Sequence, residues 1–285
     1  MSYSLNQLYQ SVGLTKQGAH QYARRQDCFD QKLQDLITEA DELREEHPGC
    51  GVRKLYHTLK PTFIGRDRFE EAFMDLGYRL KRQKNYRRTT YASSVYYPNL
   101  IKGMVVCAPS SIWQSDITYI RVGEYFYYAV FIIDVYTKKI VGYQVSNHMR
   151  ATANLEALKM ALKNHKAPEI HHSDRGGQYI YKEYIQLLKD NKTQISMSIS
   201  AQDNAYAERI NRTIKEEYLE HWKPKSYLQL KNDVRRAVNN YNYNRIHNNL
   251  NKTNPVEFEK NWNTLLNFNK PRIEMFNNEK TPLTI

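Results

Sequence analysis

Between residues 112 and 146 the sequence holds three consecutive runs, IWQSDITYIRV, EYFYYAVFIIDVY and KKIVGYQVS, rich in Ile, Val, Tyr and Phe and separated by short polar turns. β-Branched and aromatic side chains suit a pleated, part-buried surface, and connections this short join strands that run antiparallel. Downstream the pattern changes to a helix (TANLEALKMALKNH), a strand (EIHHSD), a helix (YKEYIQLLKDN), a strand (QISMSI) and a long helix from about residue 204. Antiparallel strands followed by alternating helices and strands predict an α/β fold with a sheet of mixed direction and flanking helices.

The first ninety or so residues read differently. In FDQKLQDLITEADELREEH the apolar positions 33, 36, 37, 40 and 43 share one helical face. After HPGCG, the segment VRKLYHTLK places Val52, Leu55, Tyr56 and Leu59 at helical spacing. The turn PTFIG leads into RDRFEEAFMDLG, with Phe69, Ala72, Phe73 and Leu76 on one side. Two short amphipathic helices about a Gly-containing turn, at about 47–80, make a helix-turn-helix candidate, though any helical hairpin with a charged exterior shares the pattern. Arg66 and Arg68 open its second helix, where a recognition helix meets DNA. The sequel KRQKNYRR at 81–88 supplies Lys81, Arg82, Lys84, Arg87 and Arg88, five cations in eight residues, each able to neutralise a phosphate without reading a base. The expected domains are therefore a helical region with a basic arm over 1–88, a linker over 89–111, an α/β core over 112–222 and a helical extension over 223–285.

Charge narrows the partners. The 285-residue chain carries a net charge of +12, with 23 Tyr, 9 Phe and 3 Trp interleaved among 42 Lys and Arg. That composition favours a polyanion, and nucleic acid over membrane, because the longest clean apolar run, AVFII at 129–133, is far too short to span a bilayer. The start MSYSLNQLYQ lacks the basic region and apolar block of a signal peptide, and three cysteines without a CxxC pair give no disulfide framework, so a reduced, cytoplasmic location is expected. His47 and Cys50 have no second pair at ligand spacing, which argues against structural zinc.

Against this plan, isolated carboxylates fall at informative places. Asp116 interrupts the first strand, Asp174 closes the fourth, in HHSDRGGQYI, and Glu208 sits early on the last long helix, after Asp203 and Asn204, both good N-cap residues. A carboxylate on a central strand is costly to bury unless it is paired, protonated or bound to a cation. Together the three would offer hard oxygen ligands suited to Mg²⁺. Taken singly, Asp116 reads equally well as a strand-edge residue, Asp174 as an Asx-turn former and Glu208 as a helix-surface charge.

The combination W-x-x-D-I-T-Y, H-S-D-R-G-x-Q-Y and D-N-A-x-A-E resembles the catalytic domain of bacterial insertion-sequence transposases of the IS-three family, and more broadly the retroviral-integrase-type DDE recombinases on the ribonuclease H-like fold. HPGCGVRKL and IGRDRFEEAFMDLG resemble that family's helix-turn-helix segment, and NYNYNRIHNNLNKTNPVEF at 240–258 its C-terminal motif with Arg245 and His247. The resemblance implies Asp116, Asp174 and Glu208 as catalytic metal ligands, two Mg²⁺ (or Mn²⁺) ions per site, and DNA cleavage and strand transfer at element ends without a covalent enzyme intermediate. It implies Lys215, two helical turns after Glu208, as a phosphate contact, and Arg175, Gln178 and Tyr179 as residues lining the DNA site. A homo-oligomer on DNA and an upstream-frame fusion partner of the OrfA type are further expectations. One departure stands out: the 33 residues between Asp174 and Glu208 are fewer than the family's usual spacing, the shortfall falling in SISAQDN. The competing readings are a ribonuclease H-like nuclease that joins no strands and a non-catalytic DNA-binding regulator.

Overall fold

A computed structural model describes residues 15–80, 97–264 and 270–275, together with residues 9, 11, 13 and 266. The cations expected in the basic arm, Lys81, Arg82, Lys84, Arg87 and Arg88, lie outside the described residues. The chain divides into two compact units, 1–81 and 82–285.

The first unit is helical. Helix α1 (Lys16–Glu46) is capped by Thr15, whose hydroxyl accepts from the Gly18 N–H at 3.0 Å. Helices α2 (Val52–Leu59) and α3 (Arg66–Asp75) follow. Lys60 takes a left-handed conformation (φ 49°) that ends α2 and turns the chain. The apolar stripes expected from the sequence meet in one core of Leu36, Ala40, Val52, Leu55, Ile64, Phe69 and Phe73. Arg53 ties α2 to α3 through a two-pronged pair with Glu70 at 2.7 and 3.0 Å.

The second unit is α/β. Strands β2 (Ile112–Val122), β3 (Tyr125–Asp134), β4 (Ile140–Ser146), β5 (Ile170–Ser173) and β6 (Gln194–Met197) form a sheet in the order β4-β3-β2-β5-β6. The β2–β3 and β3–β4 pairs are antiparallel, and β2–β5 and β5–β6 are parallel. Helices α4 (Ala151–Asn164) and α5 (Lys182–Asp190) cover one face, packing on Val130 and Ile132. The other face carries α6 (Ala205–Ile214), which continues through a π turn at Lys215–Leu219 to Trp222, and α7 (Tyr227–Tyr243), both packing on Ala129, Phe131 and Ile133. Burial on both faces explains why β3 reads as an almost unbroken apolar run. Gly142 lets β4 approach α4 closely, since a Cβ there would collide with the Ala157 carbonyl oxygen.

The stretch expected as a linker differs in its second half. Ile101 and Val106 are buried, and a short strand β1 (Val105–Val106) pairs antiparallel with β7 (Ile273–Glu274). They pack with Ile112, Val135, Tyr136, Leu250 and Phe258 in a third core cluster, beside α8 (Pro255–Asn261). Two residues of strand carry no periodicity, and their partner lies about 170 residues away, so local pattern cannot reveal them.

Candidate active site

The sheet brings the first two carboxylates together. Because Ser115 pairs with Ser173 in the parallel β2–β5 ladder, Asp116 and Asp174 leave adjacent strands side by side. β5 ends there, so among the described residues β2 has no strand partner on that side from Asp116 to Val122. Gln114 and Asp116 lie on the face of β2 that carries α6, whose first turn presents Glu208.

Two side-chain amides fasten these elements to each other. Gln114, fully buried, donates through Nε2 to the Asp203 carbonyl at 2.9 Å, and its Oε1 accepts from the Tyr206 and Ala207 N–H groups at 3.1 and 3.4 Å. Reciprocally, Asn204 Nδ2 donates to the Ser115 carbonyl at 3.0 Å. Gln114 thus satisfies orphan N–H groups of the helix start from the strand two residues before Asp116. The loop before α6 is fixed by a capping box, in which the Asp203 carboxylate accepts from the Ile199 and Ser200 N–H groups at 2.9 Å each.

Electrostatics mark the centre. Burial pushes the Asp116 carboxyl up to about 8, reinforced by the charges of Asp174 and, less strongly, Glu208; hydrogen bonds, including one at 2.7 Å from Asn211 Nδ2, oppose the rise. Glu208 is also raised, first by burial and then by Asp174, with Arg212 opposing. One Asp174 oxygen accepts from Gly176 N–H at 3.0 Å, so this residue does form the Asx turn while lying within reach of the other carboxylates' fields. Among the described residues no three His, Cys, Asp or Glu side chains close into a ready-made cage for one ion. Repulsion from neighbouring carboxylates adds to burial in raising both Asp116 and Glu208.

The remaining predicted residues separate. Arg175 Nε donates to the Ser198 carbonyl at 3.0 Å and Gln178 Nε2 to that of Met149 at 3.2 Å, each bracing a loop beside Asp174. Tyr179 requires correction. It is only 1% exposed, its hydroxyl lies 3.0 Å from Ser115 Oγ, and it packs in the core behind the site rather than lining its surface. Lys215 places its ammonium 5.4 Å from the centroid of the Tyr119 ring. Arg245 grips Glu217 of the π turn through two contacts of 2.7 Å and stacks on Tyr241, which makes it a brace for the C-terminal helices. In the first unit, Arg66 pairs with Asp67 and Arg68 lies over the Phe29 ring at 4.5 Å, while Asp67, Glu71 and Asp75 share the exposed side of α3. Gln114 and Asn211 were not anticipated. A buried amide within WQSD, and an Asn one helical turn after Glu208, are the signals that could have revealed them.

Residues 107–202 and 190–255 each match a family model described as an integrase core domain. The transposase for insertion sequence element IS629 of Shigella sonnei is 31% identical over 247 residues, covering 84% of this chain and 81% of its own. The insertion element IS600 uncharacterized 31 kDa protein of the same species is 32% identical over 225 residues, covering 75% and 83%. A chain in the cryoEM structure of the simian T-cell lymphotropic virus intasome in complex with PP2A regulatory subunit B56 gamma shares the fold, with a TM-score of 0.50, 15% identity, and coverage of 77% of this chain and 74% of that one. Fold and matched domain define the class, a polynucleotidyl transferase of the DDE type built on an integrase core. Within it, the chain belongs to the insertion-sequence transposases.

Proposed function

We propose that Asp116, Asp174 and Glu208 are the catalytic carboxylates of this transposase, and that they hold two divalent ions, Mg²⁺ or Mn²⁺, at the ends of an insertion sequence. The observation carrying this reading is a part-buried strand carboxylate, Asp116, raised by the charges of two further carboxylates and held by the Asn211 amide. Bound divalent ions supply Lewis acidity toward the phosphodiester and lower the pKa of the attacking hydroxyl. The protein's part is placement. Gln114 and Asn204 set the helix bearing Glu208 against the strand bearing Asp116. Arg175 and Gln178 shape the loops around Asp174, and Lys215 binds a phosphate of the terminal nucleotides.

In the first reaction water attacks a phosphorus at the element end, and the 3′-oxygen leaves as a free 3′-hydroxyl. In the second, that hydroxyl attacks another phosphodiester, displacing its 3′-oxygen, so one bond forms as one breaks and no covalent enzyme intermediate is needed. We assign the core to 112–222, the C-terminal brace to 223–285, and DNA anchoring to the helical region with Arg66 and Arg68 and the basic run 81–88. Assembly on DNA as a homo-oligomer, with an OrfA-type partner from an upstream frame, completes the reading.

The test is conversion of a supercoiled plasmid bearing the element's two ends, in Mg²⁺ or Mn²⁺, by wild type and Glu208→Gln prepared in parallel. Nicked and joined products are expected from wild type, with a loss of about a thousand-fold or more in the variant. Equal activity in both removes Glu208 from the site. Nicks without joints make the protein a nuclease. Binding without reaction, with the upstream partner present, makes it a regulator.

A further inference from the structure

The tyrosine that closes the motif WQSDITY has chemically pointed surroundings. Tyr119 lies three residues beyond Asp116 on β2, about 10 Å along the strand. It is past the end of β5, on the stretch of β2 that has no strand partner on the Asp174 side among the described residues. Its ring meets Phe126 of β3 edge-on, with centroids 5.8 Å apart, and Phe126 is 46% exposed. Lys215 of the helix that carries Glu208 reaches the same ring, at 5.4 Å. Arg121, directly opposite Phe126 in the ladder, is exposed at the hairpin end.

We propose that Tyr119 and Phe126, flanked by Lys215 and Arg121, form a stacking platform for unpaired bases at the DNA end. The ligand class is the single-stranded terminus of a duplex, and the inference rests on the DNA-end reading of the active site. Aromatic faces hold bases of any identity, while adjacent cations neutralise the phosphates between them, which is how single strands are bound without sequence readout. The odd spacing turns the Tyr119 ring to the face of β2 opposite Asp116, and because β2 has no strand partner on the Asp174 side among the described residues, an unpaired strand can round its edge from the carboxylates to the ring, as Lys215 does. Frayed nucleotides held there keep the reacting strand apart from its complement. A hairpin-stabilising aromatic pair would also explain the Tyr119–Phe126 contact, but it predicts an effect on unfolding and none on strand choice.

The experiment uses the full chain and two fluorescein-labelled duplexes of about 20 base pairs, one blunt and one with a three-nucleotide single-stranded tail containing 2-aminopurine. Wild type is expected to prefer the tailed duplex and to quench the 2-aminopurine. Tyr119→Leu and Phe126→Ser should each lose the quenching and about ten-fold in affinity for the tailed duplex, with blunt-duplex affinity unchanged. Tyr119→Phe keeps the ring and should behave as wild type. Thermal unfolding of each variant identifies one that has simply failed to fold, and the other then decides. Quenching that survives both ring removals, or a wild type that does not distinguish the duplexes, overturns the platform. The plasmid reaction is scored alongside. A wild type that quenches but never cuts or joins removes the catalytic reading and leaves the platform, whereas one that cuts without quenching does the reverse.

Discussion

His171 and His172 stand back to back in β5, with side chains on opposite faces of the sheet: His171 Nε2 lies 2.9 Å from the Tyr184 hydroxyl and His172 Nδ1 2.8 Å from Ser196 Oγ. Burial lowers His171 to about 3, with its neighbour His172 adding to the effect, and lowers His172 to about 4 against the pull of Asp203. A depressed folded-state pKa means that the neutral ring contributes stability above the unfolded value of about 6.5 and loses it as pH falls toward the folded value. Each imidazole should therefore pull stability down by about 1.4 kcal/mol per pH unit between about pH 6.5 and 4, while Asp116, raised to about 8, pulls the other way over the same window. His172→Asn should lower the pH slope of stability, read from urea unfolding at successive pH values, by about 1.4 kcal/mol per pH unit, and an unchanged slope would show that His172 does not titrate in this range. At this scale the acidic residues were legible, because a carboxylate within an apolar strand is conspicuous in one dimension. Tyr179 was not, because a tyrosine just past a loop carboxylate looks alike whether its ring turns outward or, as here, in toward Ser115.

Strand β2 and helix α6 act as a pair because each reaches into the other's backbone. Gln114→Met keeps the volume but strands two helix N–H groups and the Asp203 carbonyl, at a cost of roughly 2 kcal/mol in unfolding. It should also lower turnover by about a hundred-fold through displacement of Glu208, while DNA affinity, read by fluorescence anisotropy, stays put. Asn204→Ala should act in the same direction. The double variant should cost less than the sum, since both amides hold the same two elements together. On the far face, Gly142→Ala should destabilise by about 1–3 kcal/mol, because the obstructing atom is a helix carbonyl that cannot swing aside; a thermal shift measures it. The main strands and helices could be read from periodicity, and the mixed sheet from their order. The amide clamp could not, because nothing in the sequence places Gln114 opposite a helix start some 90 residues later. The pairing of β1 with β7 escaped for the same reason.

Across the whole molecule, the net charge of +12 is the term that salt addresses. Affinity for DNA should fall linearly on a log–log plot against salt. Replacing the five cations of 81–88 with alanine should reduce the slope by up to about 4.5, at about 0.9 for each phosphate left without its cation. An unchanged slope, measured by anisotropy titrations from low to moderate salt, would take that run out of the interface. The clamp between β2 and α6 answers to a different variable. Its four hydrogen bonds join neutral amides to backbone groups and carry no net charge for counterions to screen. Brine that strips the protein from DNA therefore leaves the distance between Asp116 and Glu208 where it was. Activity extinguished by salt should return in full on dilution, without a refolding lag, because what the ions dissolve is the encounter and not the tool.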